Sequence, residues 1–296
     1  MQHSIVDSSF AAIHTPAGAI LYASDFKLDR TPTIGEAPDF TRLKKLGNDG
    51  VVAMITESTN SGLSGKTPSE KIAKDLVCDV LLGTEETESG VIITTFSSHV
   101  ARINAIIQAA QEMDRIPVLL GRSMERYLSI AQKLGYIKFP ENLEIYGNRN
   151  SVDKFLKRVS QEGKKEYLPI VTGHQGEPNS ILTRIADGET QFRIKPGDKV
   201  IFSANTIPTP TTIANRYALE TKLKMAGARI YENVHVSGHA SREDHWELIR
   251  MISPEQVIPS HGNMTMHSSY VELAEDAGYV FGDTVHIMRN GEELVL

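Results

Sequence analysis

Apolar residues follow two rhythms along this chain. In the first 60 residues they form short β-like runs: "IVDSSFAAIHT" and "AILYAS" read as two strands joined at Pro16-Ala17-Gly18. A polar, proline-rich stretch leads to a short helix around "DFTRLKKLG". "VVAMIT" at 51–56 is a continuous, β-branched run suited to a strand covered on both faces. The loop "ESTNSGLSGKTPSE" follows. Its Thr67-Pro68-Ser69-Glu70 segment predicts a helix start, with Thr67 as N-cap, Pro68 in the first turn and Glu70 closing a capping box.

From about 70 to 230 strand-like and helical patterns alternate. The runs are VIITTF (91–96), PVLLG (117–121), LPIVTG (168–173), DKVIFSA (198–204) and ARIYE (228–232). Between most of them lie helical periodicities; in "HVARINAIIQAAQEM", Val100, Ile103, Ile107 and Ala110 share one face. That alternation predicts an α/β fold with a parallel sheet and helices on both sides. The tail continues with "HWELIRMI" as helix, "QVIPS" as strand, a helix through "SSYVELAEDAG" and a hairpin at Asn290-Gly291.

Composition narrows the function classes. A chain of 296 residues with 40% apolar content can bury one large core or two. It has no run near the roughly 20 apolar residues of a membrane span, and "MQHSIVDSSF" lacks a signal-peptide pattern. The single Cys78 excludes an intrachain disulfide and points to a reducing, cytoplasmic setting. A net charge of −6 disfavours a general nucleic-acid binder, although divalent metals would reverse the field locally. The basic stretch "KFLKRVSQEGKK" reads as a solvated helix face. The glycine-rich loops lack the lysine and serine of a phosphate loop, which argues against nucleotide hydrolysis.

In open α/β sheets ligands bind beyond the carboxyl ends of the strands. There this chain places Glu57-Ser58-Thr59-Asn60, Ser97-Ser98-His99, Gly121-Arg122-Ser123, Gly173-His174-Gln175, Ser203-Ala204-Asn205, Gly238-His239 and His261-Gly262. Imidazoles and carboxylates gathered in this way suit zinc or manganese. Asp25, after "AILYAS", is a candidate bridge between two ions. By contrast, His14 reads as a strand or turn residue, and His174 as either a contact to a bound substrate or surface polarity. His245, His267 and His286 read as ordinary surface or helix histidines, and Trp246 as core packing.

Taken in order, these segments resemble the ribonuclease J family, the β-CASP branch of metallo-β-lactamase-fold nucleases, in its archaeal form. The segments are HSIVDS, SDFKLD, TESTNSGLSGKTPSE, TTFSSHVARI, GRSMERYLSIAQKLGY, TGHQGEPNSILTRIA, VIFSANTIP, HVSGHASREDHWELI and IPSHGN. The resemblance implies a partial metallo-β-lactamase (αββα) domain at 1–70 and 233–296, interrupted by a parallel α/β β-CASP domain at 71–232. It implies His3, Asp25 and His261 as metal ligands, with Asp25 bridging two divalent ions, zinc or manganese. It implies catalytic roles for Glu57, His99 and His239, and RNA phosphate binding by Ser98, Ser237 and His239. The activity implied is hydrolysis of RNA phosphodiesters, 5′→3′ exonucleolytic with endonuclease activity beside it, in a cytoplasmic protein that binds RNA and dimerises without a membrane.

The family's His-x-His-x-Asp-His segment occurs nowhere in the sequence. The expectation is therefore a chain lacking the N-terminal part of that domain, with three ligand positions, weak metal affinity and little hydrolysis by itself. Two rival readings stand beside it: an RNA-binding, non-catalytic fragment, and an endonuclease related to the archaeal pre-mRNA 3′-end cleavage factor.

Overall fold

A computed structural model describes residues 1–83 and 89–295, which divide into two compact units: 1–69 with 237–296, and 70–236. Among the described residues no helix is long and apolar enough to cross a membrane.

The first unit is built on a four-stranded sheet. Strands β1 (Ala11–Thr15) and β2 (Gly18–Ala23) form an antiparallel hairpin; β2 pairs in parallel with β3 (Val51–Glu57), and β3 with a late strand, Gln256–Ser260. The strand expected from residue 5 begins only at Ala11, because the polar Asp7-Ser8-Ser9 segment turns, with Asp7 at positive φ. Ala19, Leu21, Ala23, Met54 and Val257 point to one face, where helix α1 (Phe40–Asp49) and two later helices (Arg242–Ile252 and Met264–Asp276) cover them. Trp246 packs against this core, as expected. The hairpin expected at Asn290-Gly291 is instead an isolated turn: Glu292 N donates to the Arg289 carbonyl, and no strand flanks it.

The second unit is a six-stranded, wholly parallel sheet. Its strands are β4 (Val91–Thr94), β5 (Ile116–Leu120), β6 (Glu144–Tyr146), β7 (Tyr167–Val171), β8 (Lys199–Phe202) and β9 (Arg229–Tyr231), in the order β6-β5-β7-β4-β8-β9. The late strand of the first unit is β10. Helices α5 (Arg149–Glu162), α6 (Ile181–Ala186) and α7 (Pro210–Met225) pack on alternate strand residues such as Ile92, Val118, Val200 and Phe202. The intervening residues Ile93, Leu119, Ile170 and Ile201 are equally buried on the opposite face. Helices α2 (Glu70–Leu82), α3 (Val100–Glu112) and α4 (Arg122–Lys133) complete the unit, and the predicted α3 face is fully buried.

Helix α2 begins at Glu70, so Thr67 is not its N-cap. Thr67 is engaged elsewhere: its amide donates to Asp244 Oδ2 at 2.8 Å and its hydroxyl to the His239 carbonyl at 2.7 Å. The capping pattern lies instead at the helix now numbered α8 (Arg242–Ile252), where Asp244 Oδ2 also accepts from Ser241 N.

Candidate metal and phosphate site

Parallel strands in register bring their carboxyl ends to one level. Ala23 pairs with Thr56, and Ser260 with Glu57, so the residues that follow, Asp25 and His261, flank Glu57. The N-terminal segment joins them through a bridge between Gln2 and Lys27 that sets His3 beside Asp25. The segment before α8 adds His239.

Asp25 is the centre of this group. Its Oδ2 lies 3.9 Å from His3 Nε2 and 3.9 Å from His261 Nε2. Ligand atoms of His3, Asp25 and His239 all fall within 4.8 Å of one another. His3 Nδ1 lies 2.8 Å from the Gly238 carbonyl. Because a carbonyl only accepts, Nδ1 carries the proton, and Nε2 presents its lone pair toward Asp25. Gly238 permits this approach: a Cβ there would stand 2.6 Å from Ser4 Oγ and 3.1 Å from His3 Nδ1. Burial lowers the His3 pKa, followed by the opposing Gly238 bond and the adjacent His239, which favours the neutral, ligating form. Two imidazoles facing one carboxylate fit a divalent cation of the zinc or manganese kind.

His239 is oriented from behind. Its Nδ1 lies 2.5 Å from Glu57 Oε2, and Glu57, 1% exposed, also accepts from Phe26 N at 2.8 Å and Thr59 Oγ1 at 2.7 Å. Burial alone would push His239 down, but the bond and charge of Glu57, with Asp25, hold it above its ordinary value. Glu57 is lowered in turn: burial raises it, and the His239 bond and charge outweigh that. Ser237 Oγ accepts from His239 N and Asn60 Nδ2, both at 3.0 Å, fixing the loop. The imidazole thus spends Nδ1 on Glu57 and keeps Nε2 for another partner.

Ser98 and His99 belong to the second unit. Ser98 is half-buried, whereas His99 is 2% exposed and caps α3, its Nδ1 accepting from Arg102 N at 3.3 Å. His99 Nε2 lies 3.6 Å from Glu70 Oε2. The Arg102 guanidinium holds both Glu70 oxygens at 2.7 and 3.0 Å and reaches His235 Nδ1 at 3.2 Å. Burial, then the charge of Arg102, pushes His235 down to about 3.

Two histidines differ from their sequence reading. His245 is no surface residue: it is wholly buried on the core face of α8, edge-on to Phe26 and Tyr270, and burial pushes it down to about 4. His174 is not surface polarity either. It is buried edge-on to Phe96 with ring centroids 4.1 Å apart, and neither nitrogen has a hydrogen-bond partner. His267 Nδ1 lies 3.0 Å from Ser58 Oγ, on the floor behind His261.

Comparison with known proteins identifies relatives of the whole chain. A family model described as "Ribonuclease J, beta-CASP domain" matches residues 88–219, and one described as "Zn-dependent metallo-hydrolase RNA specificity domain" matches residues 226–288. Ribonuclease J of Methanocaldococcus jannaschii is 48% identical over 290 residues, covering 98% of this chain and 65% of that protein. Ribonuclease J of Pyrococcus abyssi is 50% identical over 289 residues, covering 98% of this chain and 63% of that protein. Ribonuclease J of Synechocystis is 37% identical, covering 99% and 44%. The chain thus spans less than two thirds of the length of these relatives. On these matches, the chain belongs to the ribonuclease J family.

Proposed function

We propose that this chain acts in metal-dependent hydrolysis of RNA phosphodiesters, 5′→3′ exonucleolytic with endonucleolytic cleavage beside it. In this reading His3, Asp25 and His261 hold divalent metal, zinc or manganese, and His239 faces the scissile phosphate. One observation carries the reading: a single carboxylate oxygen of Asp25 stands 3.9 Å from the free nitrogens of two imidazoles that arrive from opposite ends of the chain. When bound, such ions supply an activated hydroxide and neutralise phosphoryl charge. The chain's own groups do the rest. His3 is held in the ligating tautomer by Gly238. Glu57 keeps His239 oriented, so that Nε2 can donate to a phosphate or leaving oxygen once protonated. Ser237 and Ser98 are assigned to RNA phosphates, and His99, closing the first turn of α3, sets the loop that carries Ser98.

A second reading is favoured by a specific fact of sequence: His-x-His-x-Asp-His does not occur in these 296 residues. The chain by itself is then an RNA-binding protein that holds metal weakly. Elemental analysis after dialysis, together with a product ladder from end-labelled RNA, separates the two. Weak metal retention and little cleavage are expected of this chain alone; tight stoichiometric metal would refute the second reading. Light scattering of the same sample reads the proposed dimer.

A further inference from the structure

The unit of residues 70–236 holds an open cavity of about 540 Å³ where β5, β6 and β7 end, since Gly121, Gly147 and Thr172 line it directly after these strands. Four arginines surround it: Arg122 and Arg126 on α4, Arg149 at the start of α5, and Arg184 on α6.

These arginines differ in how their charge is used. Arg184 is buried and committed, with Nη2 2.8 Å from Asp153 Oδ1. Elsewhere on the unit Arg158 pairs with Glu144, and Arg216 with Glu220 at 2.6 Å. Arg122, Arg126 and Arg149 are exposed and hold no ion pair among the described residues. The acid at the rim is Glu125, whose carboxylate lies against Gly147. In a chain of net charge −6, three uncommitted guanidiniums around one cavity make a local positive field.

The backbone adds to it. Helix α4 spans 12 residues and its N-cap, Gly121, has no side chain to accept from the first-turn amides, which border the same cavity. The hydroxyls of Ser123 and Thr172 also line it. Planar guanidinium forks, open helix amides and small hydroxyls together match the tetrahedral oxygens of a phosphate better than a carboxylate or a neutral ligand.

We infer that this cavity is a phosphate-binding site, filled in use by a backbone phosphodiester of single-stranded RNA. The choice of RNA over a free phosphate rests on the function proposed above; the site itself does not.

The test uses the full chain with chelator present, so that hydrolysis plays no part. Binding of a short labelled oligoribonucleotide is followed by anisotropy against salt, and binding of inorganic phosphate by phosphorus-31 line width. Each phosphate contact to a single strand contributes about 0.7 to the slope of log K against log salt. Arg126→Ala with Arg149→Ala should therefore reduce the slope by about 1.4 and weaken RNA binding about tenfold or more. Lys154→Ala with Lys157→Ala, an equal charge change on exposed positions of α5, serves as control. Unchanged melting temperatures in both pairs exclude a folding effect. Equal losses from both pairs, or none from the arginine pair with either probe, overturns the site. Arginine-dependent phosphate broadening without arginine-dependent RNA binding keeps the site and removes RNA as its ligand. A parent chain that binds phosphate but no RNA at all refutes the proposed function while leaving the cavity's assignment standing.

Discussion

Replacing Glu57 by glutamine tests the pairing that orients His239. The parent carboxylate accepts from Phe26 N, Thr59 Oγ1 and His239 Nδ1 at 2.8, 2.7 and 2.5 Å. Glutamine has nearly the same shape, so its Oε1 keeps the Phe26 amide and its NH₂ can donate to the Thr59 hydroxyl. That NH₂ meets the Nδ1–H of His239 donor to donor, so the imidazole must change tautomer and the ion pair is lost. One charged hydrogen bond is worth about 1.5–3 kcal/mol, so Glu57→Gln should cost about 2–3 kcal/mol. The dependence on pH follows from two shifts of opposite sense. His239 is raised, so its share is fully present below the unfolded value of 6.5 and is lost as pH rises through the folded one. Glu57 is lowered, so its share is present above 4.5 and is lost as pH falls through the folded value. The difference between parent and variant should peak between about pH 4.5 and 6.5. Urea unfolding at a series of pH values measures it, and imidazole nitrogen-15 shifts report the tautomer. In a form that hydrolyses RNA, the rate should fall about 10²–10⁴-fold with metal content unchanged. A penalty that is flat in pH, or a variant in which Nδ1 keeps its proton, would refute the reasoning.

Other expectations are as direct. In a hydrolysing form, Asp25→Ala and His261→Ala should each abolish turnover and release metal; activity within about tenfold of the parent, ~1.4 kcal/mol in barrier, would remove them from the ligand set. His239→Ala should keep the metal and lose about 10²–10⁴ in single-turnover rate, whereas metal loss would make it a ligand beside His3 and Asp25. Acid should destabilise the chain through His245. Its folded pKa is about 4, so between that value and 6.5 the unfolded state binds a proton the native state refuses, and stability falls as pH falls. Over that window the loss is about 3 kcal/mol. His245→Leu should flatten the loss in urea titrations, and an unchanged slope would show that the proton is bound elsewhere.

Much of the fold is readable from the sequence because its strands are short, β-branched and punctuated. The run at 91–96 and the apolar face of α3 need no long-range information. Strand β6 escapes because it has three half-buried residues at a sheet edge and so presents no apolar run. The helix start at 67–70 misleads because Thr67 donates to acceptors 172 and 177 residues away instead of capping the helix. At the candidate site, Asp25, Glu57, His239 and His261 are visible as strand-end residues. The Glu57–His239 bond is not, since it spans 182 positions and depends on strand register. The buried state of His245 is equally hidden. Its helical spacing places it on the core face with Leu248 and Ile252, but a polar residue gives no apolar signal. The arginine cavity is hidden for a similar reason: its cations come from three separate helices.

His261 has a backbone φ of 38°, in the left-handed region that a side chain makes costly, by about 1–2 kcal/mol. Glycine would occupy that conformation without strain, and the neighbouring Gly262 cannot take over the geometry, since its own hydrogen faces Ser58 Oγ, which a Cβ would approach to 2.4 Å. Selection for stability alone would thus favour glycine at 261 and erase the imidazole. If His261 holds metal as proposed above, the chain trades robustness for chemistry at this position. On that proposal, descendants released from the hydrolysis should lose this residue early and melt at a higher temperature than ancestors that carry it.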